Sequence, residues 1–275
     1  MKSILITGSD GYIARNIKLK LKNSNITLTN RNNLNLLCSE EVDKFFKNKY
    51  FDIVLHTAVA GGSRLISDNQ ECFYKNCVMH FNLLKNKNNF GKYISFGSGA
   101  ELDREKDINE STNYLDRFPV DPYGMSKNLI ARSCENFNNF FNIRIFNVFN
   151  ENELSSRMIK NNILKYINNQ NMIIHQDRYM DFMYFDDFMK IVNHYIHNEN
   201  CKKTINCSYE SKYLLSDITK IINNLDFHKV EIDIEKKGLG NSYIGKYELN
   251  EYEFNMEGLE FGIKKCYEYY LQQYS

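Results

Sequence analysis

The chain has 275 residues, 43% hydrophobic and 25% charged, with 35 Lys and Arg against 34 Asp and Glu. That length suits one large α/β domain or two unequal lobes, and a formal charge of +1 offers no general basic face for nucleic acid or a membrane surface. No apolar run approaches the roughly 18–20 residues of a membrane span. The turn at Gly8 comes too early for a secretory leader, so the cytoplasm is the expected compartment.

Ser3–Thr7 (SILIT) reads as a buried strand, followed by an amphipathic helix over Tyr12–Lys22. Ile26–Thr29 is a second strand, Glu40–Lys47 a helix, Ile53–Thr57 a third strand and Asn69–Leu84 a long helix. Lys92–Phe96, a helix from Pro122 and a strand over Ile143–Val148 continue the alternation. Near-continuous apolar strands separated by helices predict a doubly wound, Rossmann-type parallel sheet. Beyond residue 150 the pattern loosens into helices over Arg157–Ile167, Asp186–His197, Ser216–Asn224 and Gly258–Gln273, with a short strand over Met172–His175. The expected division is a dinucleotide-binding domain of residues 1–150 plus about 176–207. A small C-terminal α/β substrate lobe, about 151–175 and 208–275, would close over the carboxyl ends of the strands.

The first strand runs into Gly8-Ser-Asp-Gly11-Tyr12-Ile13-Ala14 and then a helix, the context a pyrophosphate-binding turn requires. Gly8, Gly11, Tyr12 and Ile13 are the expected phosphate contacts, Ala14 permits close packing, and Asp10 is expected to face solvent. The end of the second strand carries no acid for ribose hydroxyls but Asn30-Arg31, whose guanidinium suits a 2′-phosphate; NADP(H) is therefore favoured over NAD. Ala58, after the third strand, is a further cofactor contact, and His56 is expected to pack rather than move protons.

Asp121 and Pro122 read as a helix start, which puts Tyr123 and Lys127 one turn apart on one face. A phenol titrates near ~10 and needs a neighbouring cation to act near neutrality; Lys127 supplies it and is also expected to bind the cofactor through its ribose hydroxyls. Ser98, followed by Gly99 at the end of the fourth strand, is placed to hydrogen-bond a substrate carbonyl beside Tyr123.

Gly8-x-x-Gly11-x-x-Ala14, Ser98, Tyr123-x-x-x-Lys127 and Arg144-Ile-Phe-Asn147-Val-Phe together resemble the extended short-chain dehydrogenase/reductase family, the NAD-dependent epimerase/dehydratases. Arg31–Leu37, Ala58–Gly62, Tyr74–Asn76 and Phe182–Asp187 are similar to its GDP-fucose synthase group. The resemblance implies nicotinamide chemistry on nucleoside-diphosphate sugars made for capsule or lipopolysaccharide. It also implies a homodimer built on the helices Asn69–Leu84 and Pro122–Phe137, and substrate contacts from Ser98, Gly99, Asn147 and Arg157. In that group a cysteine two residues after the serine and a histidine on a later helix handle epimerisation. Here Ala100 and Arg157 stand at those places, and neither side chain is a proton carrier near neutrality. Related 4,6-dehydratases carry Asp and Glu directly after the catalytic hydroxyl; Glu101 is one residue out of register, and an arginine usual before Asp181-Phe182 is Met180.

The expectation is an NADPH-dependent C4 ketoreductase of a 4-keto nucleoside-diphosphate sugar, without C3/C5 epimerisation. A nucleotide-sugar 4-epimerase, a 4,6-dehydratase and a non-catalytic NADP-binding sensor are the alternatives; Glu101 and His175 are the first suspects should epimerisation occur. His194-x-x-His197 lacks a third ligand, so no metal is expected. Seven cysteines without Cys-x-x-Cys read as reduced thiols, Cys201 and Cys207 beside an edge strand. Tyr267–Tyr270 and Tyr274 read as a helix flank; with no basic stripe, nucleic acid is not an expected partner.

Overall fold

The computed structural model describes residues 1–21, 25–62, 68–113 and 115–274. In chain order these form β1 (Ser3–Thr7), α1 (Tyr12–Lys20), β2 (Asn25–Thr29), α2 (Ser39–Phe46), β3 (Phe51–His56), α3 (Gln70–Lys85), β4 (Phe90–Ser98) and α4 (Pro122–Glu135). There follow β5 (Phe140–Ile145), β6 (Val148–Phe149), α5 (Met158–Ile167), β7 (Met172–Gln176), β8 (Met183–Tyr184) and α6 (Phe185–His197). β9 (Thr204–Cys207), α7 (Leu215–Asn223), β10 (Ile232–Lys236) and α8 (Leu259–Tyr274) complete the order. The expected first helix reaches Lys22, which lies outside the described residues.

The principal sheet has six strands in the order β2-β1-β3-β4-β5-β9, with β2, β1, β3 and β4 paired in parallel. This is the doubly wound α/β architecture expected from the sequence. The winding reverses between β1 and β3, and such a switch point opens a crevice at the carboxyl ends of the strands. β9, which ends at Cys207, is one of the two edge strands, and all seven cysteines are free thiols.

Two compact units make up the described chain: residues 1–105, 113–144 and 192–205, and residues 106–112, 145–191 and 206–275. The expected division differs: 106–112, 145–150, 176–191 and 206–207, assigned from the sequence to the dinucleotide-binding domain, group with the second unit. The reason is local: β7 pairs with β10, and Tyr184, on β8, packs in one core with Leu259 and Ile263 of α8.

In the first unit, Leu5, Val54, Tyr93 and Phe140 are buried in one cluster with Phe46 and Leu83. Tyr93 stacks on Phe140 at 4.7 Å between ring centroids, a pair that adds about 0.5–1.5 kcal/mol beyond its area. The Tyr93 hydroxyl meets His80 Nδ1 at 2.9 Å, and His80 Nε2 meets Ser133 at 3.0 Å, joining β4, α3 and α4. Burial lowers His80 to about 4, so the bridge is made by a neutral imidazole. In the second unit the core is formed by Ile163, Tyr166, Ile218, Ile222, Ile263 and Tyr270. Tyr267 and Tyr270 are thus core side chains, not the expected helix flank, because the turn of α8 that carries them faces Tyr166 and the α7 isoleucines.

The sequence suggests one strand over Ile143–Val148; the structure ends β5 at Ile145 and starts β6 at Val148. Val148 and Phe149 leave the principal sheet to pair with Met183 and Tyr184.

Candidate active site

The glycine turn is built by close approach. Gly8 has φ +68°, and a Cβ there would lie 2.5 Å from Ala58 Cα, so only glycine lets β1 turn against the end of β3. Gly11 N–H donates to the Gly8 carbonyl at 2.9 Å, and Ser9 N–H to Thr29 at the end of β2. Gly11 is the N-cap of α1, which has no side-chain cap and no acid in its first turn. The helix start over Tyr12 and Ile13 therefore keeps its positive dipole end for an anion, and Ala14 is buried. These features fit a pyrophosphate.

At the end of β2, Arg31 is exposed. Asn30 is more committed than expected: its amide donates to Asp10 Oδ1 at 3.2 Å and its oxygen accepts from Asn32 N–H at 3.0 Å. Asp10 is exposed yet does not face only solvent; it ties the glycine turn to the Asn30 loop. Ala58 packs behind Gly8. His56 is buried and shares a hydrogen bond with Thr7 at 2.9 Å; desolvation, with His80 and Lys127 nearby, pushes it well below the ordinary histidine range. It is a packed, neutral side chain.

Ser98 closes β4 and caps a single 3-10 turn over Gly99–Leu102, its Oγ accepting from Ala100 N–H at 3.2 Å. The reciprocal half of this capping box is Glu101, whose carboxylate accepts from Ser98 N–H at 2.9 Å. Glu101 is fully buried and its second oxygen meets Arg144 Nε at 2.8 Å, with Asn142 donating to both. Both oxygens of this acid are therefore engaged, Oε1 by the serine turn and Oε2 by Arg144 and Asn142 of β5. His175 lies exposed on β7 and pairs with Glu235 at 2.8 Å.

Asp121 caps α4, accepting from Gly124 N–H at 2.9 Å, with Pro122 in the first turn; such a cap contributes about 1 kcal/mol. Tyr123 and Lys127 leave the same side of this helix, and Lys127 Nζ lies 5.8 Å from the Tyr123 ring centroid. Gly124 sits where a Cβ would be 2.7 Å from the Ala100 carbonyl, so α4 closes directly on the serine turn. Asn128 reinforces the contact by donating to the Glu101 carbonyl at 2.8 Å. Lys127 is buried and donates to the Phe96 carbonyl at 2.8 Å. Desolvation lowers its ammonium to about 8, against the pull of Glu101, which leaves it mainly cationic at neutral pH. The first unit thus brings Ser98, Tyr123, Lys127 and the glycine turn into one framework.

The second unit holds the other two expected contacts side by side. Asn147 donates to the Asp181 carbonyl at 2.9 Å and accepts from Arg157 at 3.2 Å. Arg157 is the N-cap of α5 rather than its first residue. Glu153, missed in the sequence, is buried 4.0 Å from Arg157 Nε and accepts from Lys160 N–H; burial raises it to about 7. Also missed was Arg104, which bridges Asp68 and Asp121 beside Tyr123. No local spacing announces that bridge, whereas Ser98-x-x-Glu101 is a recognisable capping signature. His194 bonds to Asn198; among the described residues, no cluster of three or more His, Cys, Asp or Glu is arranged for a metal, and no helix is long and apolar enough to cross a membrane.

Several solved structures share this fold across nearly their whole length. GDP-mannoheptose C4 reductase from Campylobacter jejuni with NADP bound is 19% identical, with 98% of each chain covered and a TM-score of 0.81. A GDP-D-glycero-L-gluco-heptose synthase from Campylobacter jejuni, in the presence of NADPH, is 20% identical over 99% of this chain and 98% of its own, also at 0.81. UDP-glucose 4-epimerase from Thermotoga maritima with UDP-glucose is 18% identical over 99% of both, again at 0.81. At such identities the likeness is one of fold. No curated protein matches the sequence. With the glycine turn on β1, the serine turn on β4 and the Tyr123–Lys127 pair on α4 all inside the matched residues 4–208, the chain belongs to the NAD dependent epimerase/dehydratase family.

Proposed function

We propose that the protein is an NADPH-dependent C4 ketoreductase of a 4-keto nucleoside-diphosphate sugar that leaves C3 and C5 untouched. The observation that carries the reading is the serine turn. It sets a hydroxyl beside the Tyr123–Lys127 helix, places Ala100 where a second proton carrier would stand, and commits Glu101 to Arg144. NADP(H) is supported by the glycine turn, by Arg31 in place of an acid after β2, and by the NADP and NADPH of the two Campylobacter neighbours.

When bound, the reduced nicotinamide supplies hydride to a carbonyl carbon. Tyr123 gives its phenolic proton to the oxygen on which charge develops, a step that contributes about 10²–10⁴-fold. Ser98 hydrogen-bonds the same oxygen, and the Lys127 ammonium stabilises the phenolate left behind. Gly8, Gly11, Tyr12 and Ile13 hold the pyrophosphate, Ala58 lines the turn, and Arg31, with Asn30 shaping its loop, pairs with the 2′-phosphate. For the sugar nucleotide, Gly99 is the proposed contact of the first unit, and Asn147 and Arg157 are those of the second, each taken by itself.

The test is NADPH oxidation over 4-keto GDP-, dTDP-, UDP- and CDP-sugars, with product stereochemistry read by NMR. Enzyme and substrate in D₂O without NADPH should leave C3 and C5 protonated; enzyme-dependent deuterium uptake there overturns the absence of epimerisation. A 4-epimerase is the second reading, favoured by the Thermotoga neighbour. A copurifying, tightly held NAD would decide for it.

A further inference from the structure

Three side chains from separate loops meet beside Tyr123. Arg104 Nη2 lies 2.7 Å from Asp68 Oδ2 and 2.8 Å from Asp121 Oδ1, with the two carboxylates only 4% and 10% exposed. Each carboxylate also holds backbone: Asp68 Oδ1 accepts from Gly62 N–H at 2.7 Å, and Asp121 from Gly124 N–H at 2.9 Å. The guanidinium lies over the Tyr123 ring, 5.5 Å from its centroid. Gly62 packs against the ring's hydroxyl end, where a Cβ would come within 2.8 Å of Cε2 and Cζ and 3.1 Å of the hydroxyl. Its φ of +74° is one that glycine alone adopts readily.

Charge decides what this cluster does. Two carboxylates and one guanidinium sum to a net negative charge, which does nothing to favour a phenolate, so the effect on Tyr123 is geometric. We propose that the Asp68–Arg104–Asp121 bridge is a latch that fixes the Gly62 turn and the start of α4 around Tyr123, making Arg104 a positioning residue for its proton transfer. The proposal rests on the reductase reading of Tyr123.

Arg104→Gln and Arg104→Lys, compared with the wild-type protein, test it. Misplacing a reacting group by an ångström costs up to about 10²-fold. Arg104→Gln should therefore lower kcat at least ~10-fold with KM values for NADPH and keto sugar within ~2-fold, a split that marks loss of a transition-state interaction. Arg104→Lys, a single point donor in place of a fork, should recover part of the loss. Amide exchange followed by mass spectrometry should rise in Arg104→Gln at peptides covering 58–62 and 122–126, and stay unchanged in β1 and β3. Unchanged kcat, unchanged exchange at both peptides, or exchange rising throughout the sheet overturns the latch. The exchange readout needs no substrate: a wild-type protein that reduces no keto sugar would fell the reductase reading while exchange still decides the latch.

Discussion

In the proposed reaction Tyr123 is the proton donor, and its place in the fold lets binding be tested apart from catalysis. The proposed phosphate contacts lie between β1 and α1, whereas the phenol lies on α4, so removing its oxygen should leave the cofactor site whole. Tyr123→Phe should bind NADPH nearly normally and lose at least ~10²-fold in kcat. Steady-state kinetics beside a fluorescence titration of NADPH checks both halves, and retained turnover would remove Tyr123 from the mechanism. Arg31 is open to a similar dissection. It is exposed, and the loop around it is shaped by Asn30 and Asn33 rather than by its guanidinium. Arg31→Ala should raise KM for NADPH far more than for NADH; equal effects on both would show that it does not read the 2′-phosphate. These residues were legible in the sequence because each sits at a fixed offset from a strand end or a helix cap. Asp68 and Arg104 were not, since they meet only after three loops have folded together.

At the scale of elements, α5 carries a built-in pH response. Glu153 is buried beside the start of that helix, and burial raises it from 4.5 to about 7. A folded-state pKa above the unfolded one means that the folded chain holds the proton more tightly, so stability is greatest below the unfolded value and falls as pH climbs through that window. The shift, in which the opposing pull of Arg157 is already included, is equivalent to about 3 kcal/mol at most. Glu153→Gln should therefore melt at a higher temperature than wild type at pH 8 and show no such gain near pH 4. Equal melting differences at the two pH values would show that Glu153 is not buried in its charged form. Strand and helix positions around it follow the hydrophobic period closely, with α5 and α7 displaced by about a residue from expectation. The β5–β6 break did not show in the periodicity, because Ile143 through Val148 is apolar enough for either outcome and the pairing partner, Met183-Tyr184, lies far along the chain.

For the molecule as a whole, the expected oligomer makes the sharpest claim. Tyr74 and Phe81 are 63% and 41% exposed seven residues apart on α3, so they share one helical face. That face lies on one of the two helices through which the family resemblance implies a homodimer. Sedimentation at micromolar concentration should give a mass about twice 32.6 kDa, and Tyr74→Lys with Phe81→Lys should return it to the monomer. A wild-type mass near 32.6 kDa refutes the dimer. The architecture itself was readable from the alternation of apolar runs with amphipathic stretches. The division into units was less so: whether 145–191 groups with the earlier strands or the later helices depends on the β7–β10 pairing, and β10 is a short, largely exposed strand with little hydrophobic signal.

Glu101 and Arg144 are separated by 43 positions, and both are withdrawn almost wholly from water. A carboxylate stranded without its partner in such a place costs about 3–5 kcal/mol. The serine turn therefore cannot take its working shape until β5 has docked on β4. A chain ending at residue 135 would contain Ser98, Tyr123 and Lys127 and the entire glycine turn, yet lack Arg144, the cation that holds Glu101 beneath the serine turn. On the proposed reading, a chain cut before the fifth strand should therefore reduce no keto sugar, which an activity assay on the truncated protein checks.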